Sequence, residues 1–150
     1  MTAASVWARL PLTLRAVQRI EPLRPTETTL LRLLLVVTVV IIMHFATAPL
    51  EEVPFAGLGD KVLHIGAFLT LAALLDFAFP ATPFGRGKVA ALLAYGMMIE
   101  IVQHFVPFRT FSLLDWLADA VGIALYVAAA TPVLKRTPWL QRRWAPQLSQ

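Results

Sequence analysis

The 150-residue chain contains no cysteine and few charged residues. The absence of cysteine excludes disulfides, thiolate metal sites and thiol nucleophiles. It also means that cysteine usage gives no information about the redox compartment. Only 15% of the residues are charged and 58% are hydrophobic, whereas soluble domains average about 25% and about 45–50%. A soluble domain of this length would expose much of that apolar surface to water. The composition therefore indicates an integral membrane protein.

Proline marks the boundaries of the predicted helices, because its ring and its missing N–H make it rare inside helices and common at their ends. The eleven prolines leave four long stretches uninterrupted. Each stretch is close to the roughly 20 residues that cross about 30 Å of hydrocarbon. We therefore predict an all-α, polytopic four-helix membrane bundle with spans at 30–48, 62–79, 89–106 and 113–131.

The distribution of lysine and arginine predicts the orientation, since basic residues concentrate in cytoplasmic segments. Eleven of the thirteen basic residues lie on one side of the four predicted spans, and the other side has only Lys61 and Arg109. We expect both termini to be cytoplasmic. The predicted organisation is an interfacial N-terminal segment (1–29), a membrane domain (30–133) and a basic cytoplasmic tail (134–150). The basic residues form short clusters beside apolar runs, so the net charge of +4 does not indicate a nucleic-acid partner.

Polar residues within three of the predicted spans lie at one depth. Ionisable groups in a span are costly and usually face a protein interior or a watery cavity. At about 1.5 Å of rise per residue, these side chains reach the outer third of the membrane, and their i, i+3 and i+4 spacing places them on shared helix faces. This set comprises Asp60, His64, Glu100, Gln103, His104, Asp115 and Asp119. A structural interpretation, in which Lys61 and Arg109 merely neutralise these acids so that the helices pack, stays open.

Two further features concern packing. Gly66, Gly96 and Gly122 are predicted to permit close contact between helices. Asp76 lies near the inner end of the second span, where we expect it to meet the region of Arg86 and Lys88 or the membrane interface.

Several motifs in order resemble the VanZ-like family of bacterial integral membrane proteins. They lie in the segments DKVLHIGAF (60–68) and IEIVQHFVPFRTFSLLDWLADAVG (99–122), and the resemblance covers about 30–133. It implies a multi-pass protein of the bacterial inner membrane. The family's polar signature falls on Asp60, Lys61, His64, Glu100, Gln103, Arg109, Asp115 and Asp119. The family commonly has asparagine at the position of Asp119, so this chain adds an acidic group. The family's namesake is associated with resistance to teicoplanin-type glycopeptides, so the resemblance suggests a relation to the cell envelope. It does not by itself assign this chain a role in such resistance.

The favoured hypothesis is a site that binds an anionic amphiphile such as a lipid-linked cell-envelope precursor. In an extension of this hypothesis, the site also modifies the bound molecule. Lys61 and Arg109 suit a phosphate or carboxylate head. The predicted binding residues are Asp60, Lys61, Gln103, Arg109 and Asp115. The predicted acid–base residues are Glu100, Asp119 and His64. We expect no cofactor.

Three alternatives remain at this point. The first is a zinc or manganese site built from His64, Glu100, His104, Asp115 and Asp119. The second is a small proton-coupled exporter that works as an oligomer, with Glu100 alternating between proton and substrate. The third is a purely structural membrane subunit. The sequence does not choose between binding and catalysis, and it names neither a protein partner nor an oligomeric state.

Overall fold

The computed structural model describes residues 24–136, except for the side chains of residue 50 and of residues 131–136. This part of the chain forms four helices, α1 (Pro25–Thr47), α2 (Asp60–Ala78), α3 (Arg86–His104) and α4 (Leu113–Arg136), and contains no strand. Two short 3-10 turns, Leu50–Glu52 and Ala56–Leu58, lie between α1 and α2. The all-α prediction is confirmed for these residues. Residues 1–23 and 137–150, which hold most of the predicted N-terminal segment and of the predicted tail, lie outside the described residues.

The helix ends follow local chemistry. Pro25 occupies the first turn of α1, where its missing N–H costs nothing, and the Glu27 carboxylate accepts a 2.8 Å hydrogen bond from the backbone N–H of Arg24. α1 therefore starts at residue 25, before the first residue of the predicted span at 30. Gly59, with a φ of 87°, turns the chain into α2. The Ser112 hydroxyl accepts a 3.3 Å hydrogen bond from the N–H of Asp115 at the start of α4.

The end of α4 differs from the sequence expectation. We expected Pro132 to lie beyond the last span, but α4 continues through it to Arg136. Membrane helices accommodate an internal proline when neighbouring groups compensate for the lost hydrogen bond, so proline alone did not locate this end.

Three of the described helices are long and apolar enough to cross a membrane: α1, α2 and the Leu113–Ala130 part of α4. α1 has no buried residue, as expected of a helix that presents most of its surface to lipid. α3 falls outside this group among the described residues, and it carries Arg86, Lys88 and Glu100 within its length. The chain thus has the helices of a membrane protein, with α3 the most polar of the four.

Helix α2 lies at the centre and contacts α1, α3 and α4. The shared core combines Phe68, Leu71 and Ala72 of α2 with Leu92 and Ile99 of α3 and Ile123 and Tyr126 of α4.

Glycine sets the distance between α2 and α4, because a Cβ at Gly122 would lie 3.0 Å from the Leu69 backbone nitrogen. At Gly96 a Cβ would lie 3.1 Å from Phe68 and would also meet Asp119. The predicted close contacts are therefore confirmed at Gly96 and Gly122. The prediction is wrong at Gly66, where no atom of a neighbouring element among the described residues lies within 4 Å of the position that a Cβ would occupy.

Polar side chains lie at both ends of this antiparallel arrangement, which we call the Asp76 end and the His64 end after α2 residues near each end. At the Asp76 end, the Lys88 ammonium lies 3.0 Å from Asp76 Oδ1, and the Tyr126 hydroxyl donates to Asp76 Oδ2. Arg32 Nε donates a 3.1 Å hydrogen bond to the carbonyl of Ala78. These contacts join α1, α3 and α4 to α2, and Asp76 does meet Lys88 as the sequence suggested.

Gly122→Ala is expected to lower the free energy of unfolding by about 1–3 kcal/mol, since the added Cβ pushes against the α2 backbone and not against a side chain that can move. Gly66→Ala is the matched control, because open space surrounds Gly66, and it should be neutral or stabilise α2 by up to about 1 kcal/mol. Titration of purified protein with sodium dodecyl sulfate in mixed micelles measures both values. Equal values for the two variants would contradict the proposed role of Gly122.

Candidate functional site

Six ionisable side chains converge at the His64 end, and we call them the His64 cluster. They are Asp60, Lys61 and His64 of α2, Glu100 of α3, and Asp115 and Asp119 of α4. The antiparallel packing brings the start of α2, the end of α3 and the start of α4 to one level. Within α2 and within α4, the side chains four residues apart share a helix face. His64, Glu100, Asp115 and Asp119 are buried.

His64 lies between two buried carboxylates. Its Nδ1 is 2.7 Å from Asp119 Oδ1, and its Nε2 is 4.0 Å from Glu100 Oε1. A carboxylate at Nδ1 orients the imidazole ring and favours the proton on that nitrogen. The second nitrogen therefore faces Glu100, in the position expected of a group that exchanges a proton or coordinates an ion.

Two carboxylate oxygens of the cluster have no hydrogen-bond partner among the residues that the structure describes. Glu100 Oε2 accepts a 2.7 Å hydrogen bond from the N–H of Ser112, but Glu100 Oε1 and Asp119 Oδ2 are buried without a partner. An unpaired buried polar atom costs about 1–3 kcal/mol, and more when it is charged. Such atoms are rare in folded proteins and call for a functional or structural explanation.

The two cations of this region have different surroundings. Lys61 Nζ lies 3.0 Å from Asp115 Oδ1, and the Lys61 side chain remains 55% exposed. The Arg109 side chain is 6% exposed and binds the last turn of α1: its Nε and Nη2 donate to the carbonyl of Ala48 at 3.1 and 2.9 Å, and Nη2 also donates to that of Phe45 at 3.0 Å. Its Nη1 lies 3.7 Å from Asp60 Oδ1. Arg109 thus satisfies carbonyls at the end of α1 that the helix itself leaves unpaired.

Helix α1 is attached to the site through its backbone. Gln103 Nε2 donates a 3.0 Å hydrogen bond to the carbonyl of Ala46, and the Tyr95 hydroxyl donates a 2.6 Å bond to that of Val39. Backbone carbonyls carry no sequence signal, so neither these bonds nor the contact between Ser112 and Glu100 could be read from the sequence.

A partly open cavity of about 210 Å³ lies beside His64, between α1, the segment that connects α1 to α2, and the facing sides of α2 and α3. Its walls are mainly apolar and include Ile42, Phe45, Val53, Leu63, Ala67 and Phe68. Its polar lining consists of Asp60, His64, Gln103 and Arg109. The cavity therefore combines apolar walls with a polar group of side chains, all four of which are among the predicted site residues.

The residues of the predicted metal set do not all lie together in the structure. His104 lies exposed on α3 with its ring centroid 5.3 Å from that of Phe105. It is absent from the group of close donor atoms found among the described residues, which comprises Asp60, His64 and Asp115 with one donor atom each within 4.8 Å. Asp60, which the predicted metal set omitted, is signalled in the sequence by its i, i+4 spacing from His64.

A known family matches most of the chain. The model of the family described as VanZ/LLP1 matches residues 7–135, which include all of α1, α2 and α3 and nearly all of α4. No curated protein and no solved structure matches the chain.

Glu100→Gln is expected to raise the free energy of unfolding by about 1–3 kcal/mol in the presence of a chelator, because it replaces a buried carboxylate that has an unpartnered oxygen by a neutral amide. The amide oxygen retains the bond from Ser112 N–H. Glu100→Ala loses that bond and should lower the stability instead. Detergent-based unfolding measures both variants. A Gln variant no more stable than the parent would show that the unpartnered oxygen carries no cost.

Proposed function

The chain belongs to the VanZ/LLP1 family, and we propose that it is a four-span protein of a bacterial inner membrane whose His64 end binds an anionic amphiphile from the outer leaflet. The proposal has two parts. The first is the topology, which sets the His64 end at the outer face. The second is the ligand class, which rests on the cavity and on the cations beside it.

The topological part treats α3 as the fourth span. α3 has the same 19-residue length as α2, and it supplies Leu92 and Ile99 to the shared core. Its charged residues lie where a span tolerates them: Arg86 and Lys88 begin the helix, and Glu100 is buried against the other helices. Because basic residues concentrate at the Asp76 end and in the terminal segments, we assign that end and both termini to the cytoplasm.

The absence of cysteine permits a direct test of this topology. Gly57→Cys introduces a single thiol at the His64 end, and Ala81→Cys introduces one at the Asp76 end, both at exposed positions. In intact cells, a membrane-impermeant maleimide should label the Gly57→Cys variant and leave the Ala81→Cys variant unlabelled. Permeabilisation should make both react equally. Labelling of the Ala81→Cys variant alone in intact cells would mean that the orientation is reversed.

The cavity is the observation that carries the ligand proposal. Its apolar walls suit an acyl or isoprenoid chain, and its polar lining begins at the same level as His64. Ligand sites of this kind combine mostly apolar walls with a few placed polar groups. α1 forms one wall and has no buried residue, so the lipid phase lies directly beside the cavity. An amphiphile could therefore enter sideways from the bilayer with its head held at the outer end.

The head would interact with Lys61 and with Arg109 Nη1. Lys61 is exposed although it pairs with Asp115, and Arg109 Nη1 is farther than a hydrogen bond from Asp60. Phosphate and carboxylate oxygens compete well for such groups, since charge-assisted hydrogen bonds are roughly twice as strong as neutral ones. Lipid-linked cell-envelope precursors have this chemistry. In this proposal Asp60, Gln103 and Asp115 position the two cations and line the polar part of the site.

The His64 cluster also supports acid–base chemistry on the bound head. His64 borders the cavity, Asp119 orients its ring, and Glu100 faces its second nitrogen. A positioned histidine between two carboxylates has the parts of a general acid–base group. We accordingly propose His64, Glu100 and Asp119 as the residues that would act if the ligand is modified. A relation to glycopeptide resistance would follow from action on such an envelope lipid.

Filling the cavity should remove the bound lipid. Ala67→Phe places a ring in the cavity, whereas Ala124→Phe adds the same ring on an exposed face of α4. In mass spectrometry of lipids that co-purify with each protein, we expect one anionic species to fall about tenfold in the Ala67→Phe variant, as for the loss of about 1.4 kcal/mol of binding. The Ala124→Phe variant should retain it.

Lys61→Gln tests the head of the ligand separately from the chain. The same anionic species should decrease in this variant while neutral lipids stay constant, since the substitution removes a charge at an exposed position and leaves the cavity unchanged. Identical lipid profiles in the parent, the Ala67→Phe variant and the Lys61→Gln variant would overturn the ligand proposal.

A further inference from the structure

The His64 cluster contains more acidic groups than its surrounding cations balance. Four carboxyl groups, of Asp60, Glu100, Asp115 and Asp119, meet Lys61, Arg109 and a histidine. Three of these acids are buried, all except Asp60. Buried carboxylates in excess repel one another, and they persist when a further positive charge or a proton compensates them.

The positions of the donor atoms suit one metal ion. Asp60, His64 and Asp115 each offer a ligand atom within 4.8 Å of the others. Bonds of about 2.0–2.2 Å from nitrogen and oxygen to zinc place two ligands of one ion at most about 4.4 Å apart, so small side-chain rotations would bring these atoms to one centre. Glu100 lies outside this group of three, but its Oε1, which is buried and has no hydrogen-bond partner among the described residues, lies 4.0 Å from His64 Nε2.

The contact between His64 and Asp119 gives independent support. Histidines that bind metals usually donate their other ring N–H to a carboxylate, which orients the ring and raises its basicity. His64 Nδ1 makes such a bond to Asp119 Oδ1 at 2.7 Å in a buried position. The ring is therefore held with its second nitrogen toward Glu100, as a ligand would be.

We propose that the His64 cluster binds one divalent cation, with Asp60, His64 and Asp115 as ligands, Glu100 as the fourth donor and Asp119 as the residue that positions His64. Imidazole together with carboxylate oxygen is a donor set for zinc or manganese. The ion would join α2, α3 and α4 at the His64 end. This inference does not depend on amphiphile binding, and its test uses metal content and affinity.

The experiment uses full-length protein purified in detergent through a tag that contains no histidine. The protein is stripped with a chelator, incubated with zinc or manganese chloride and desalted, and the retained metal is measured by elemental analysis. We expect about one equivalent per chain and a higher midpoint of thermal unfolding with metal than without it, since a ligand that binds the folded state stabilises it.

Two pairs of variants identify the ligands. His64→Ala and Asp115→Asn should lose the metal. His104→Ala and Glu51→Gln should retain it, because they change an exposed histidine and an exposed acid at the same end of the molecule. Asp119→Asn should weaken the affinity about 10–100-fold, the usual effect of removing the partner of a metal-binding histidine.

Two further variants separate ligand loss from misfolding. Glu100→Gln should bind metal more weakly although its metal-free form is expected to be more stable. Lys61→Gln should bind metal more tightly, because the Lys61 ammonium occupies Asp115 Oδ1 and competes with the ion. The proposal is overturned if the parent protein retains less than about a tenth of an equivalent. It is equally overturned if His104→Ala or Glu51→Gln loses as much metal as His64→Ala, or if Lys61→Gln loses affinity.

Discussion

The hydrogen bond between His64 and Asp119 is the interaction on which the other features of this end depend. It joins α2 to α4 in a buried position, and it forms only because these helices approach closely. Gly122 lets α4 lie against the α2 backbone, and Gly96 leaves room on α3 for Asp119. The same glycines that permit packing therefore determine the geometry of the His64 cluster. Stability and the site are coupled, so a change in helix spacing would alter the orientation of the imidazole ring.

The two ends of the bundle show different uses of buried charge. At the Asp76 end the carboxylate meets an ammonium and a phenol, and the same ammonium also donates to the carbonyls of Phe79 and Thr82. Such a saturated network suits a structural role. At the His64 end two carboxylate oxygens lack partners among the described residues, and a cavity lies alongside. The Asp76 carboxylate is thus hydrogen-bonded at both oxygens, whereas Glu100 and Asp119 each leave one oxygen without a partner among the described residues. These unpaired oxygens lower the stability of the His64 end, and such a cost is expected where binding or chemistry occurs.

Much of this arrangement could be predicted from the sequence, because it follows from periodicity and from helix ends. Proline positions and apolar runs located the four helices, and depth along antiparallel helices brought His64, Glu100 and Asp119 to one level. The rotation of each helix about its axis was harder to predict from the sequence. For this reason Gly66 was assigned to a helix contact, whereas among the described residues no neighbouring element lies against it. The attachment of Arg109 to the end of α1 was also not predictable, since its acceptors are backbone carbonyls. Arg109 was expected to bind ligand or to neutralise the acids. Its Nε and Nη2 bind the end of α1, and its Nη1 lies 3.7 Å from Asp60 Oδ1 beside the cavity.

The His64 cluster is acidic and the proposed ligand has an anionic head, so the two must be reconciled electrostatically. An anion that approached four carboxyl groups balanced by two cations would be repelled, and low local dielectric would strengthen that repulsion. Two features reduce the conflict. Lys61 is the exposed cation of the cluster and Arg109 lines the cavity, so the cations are the groups that a head entering from outside would meet. A divalent ion among Asp60, His64 and Asp115 would remove the remaining excess of negative charge, and it would convert a set of carboxylates that repels phosphate into a centre that attracts it.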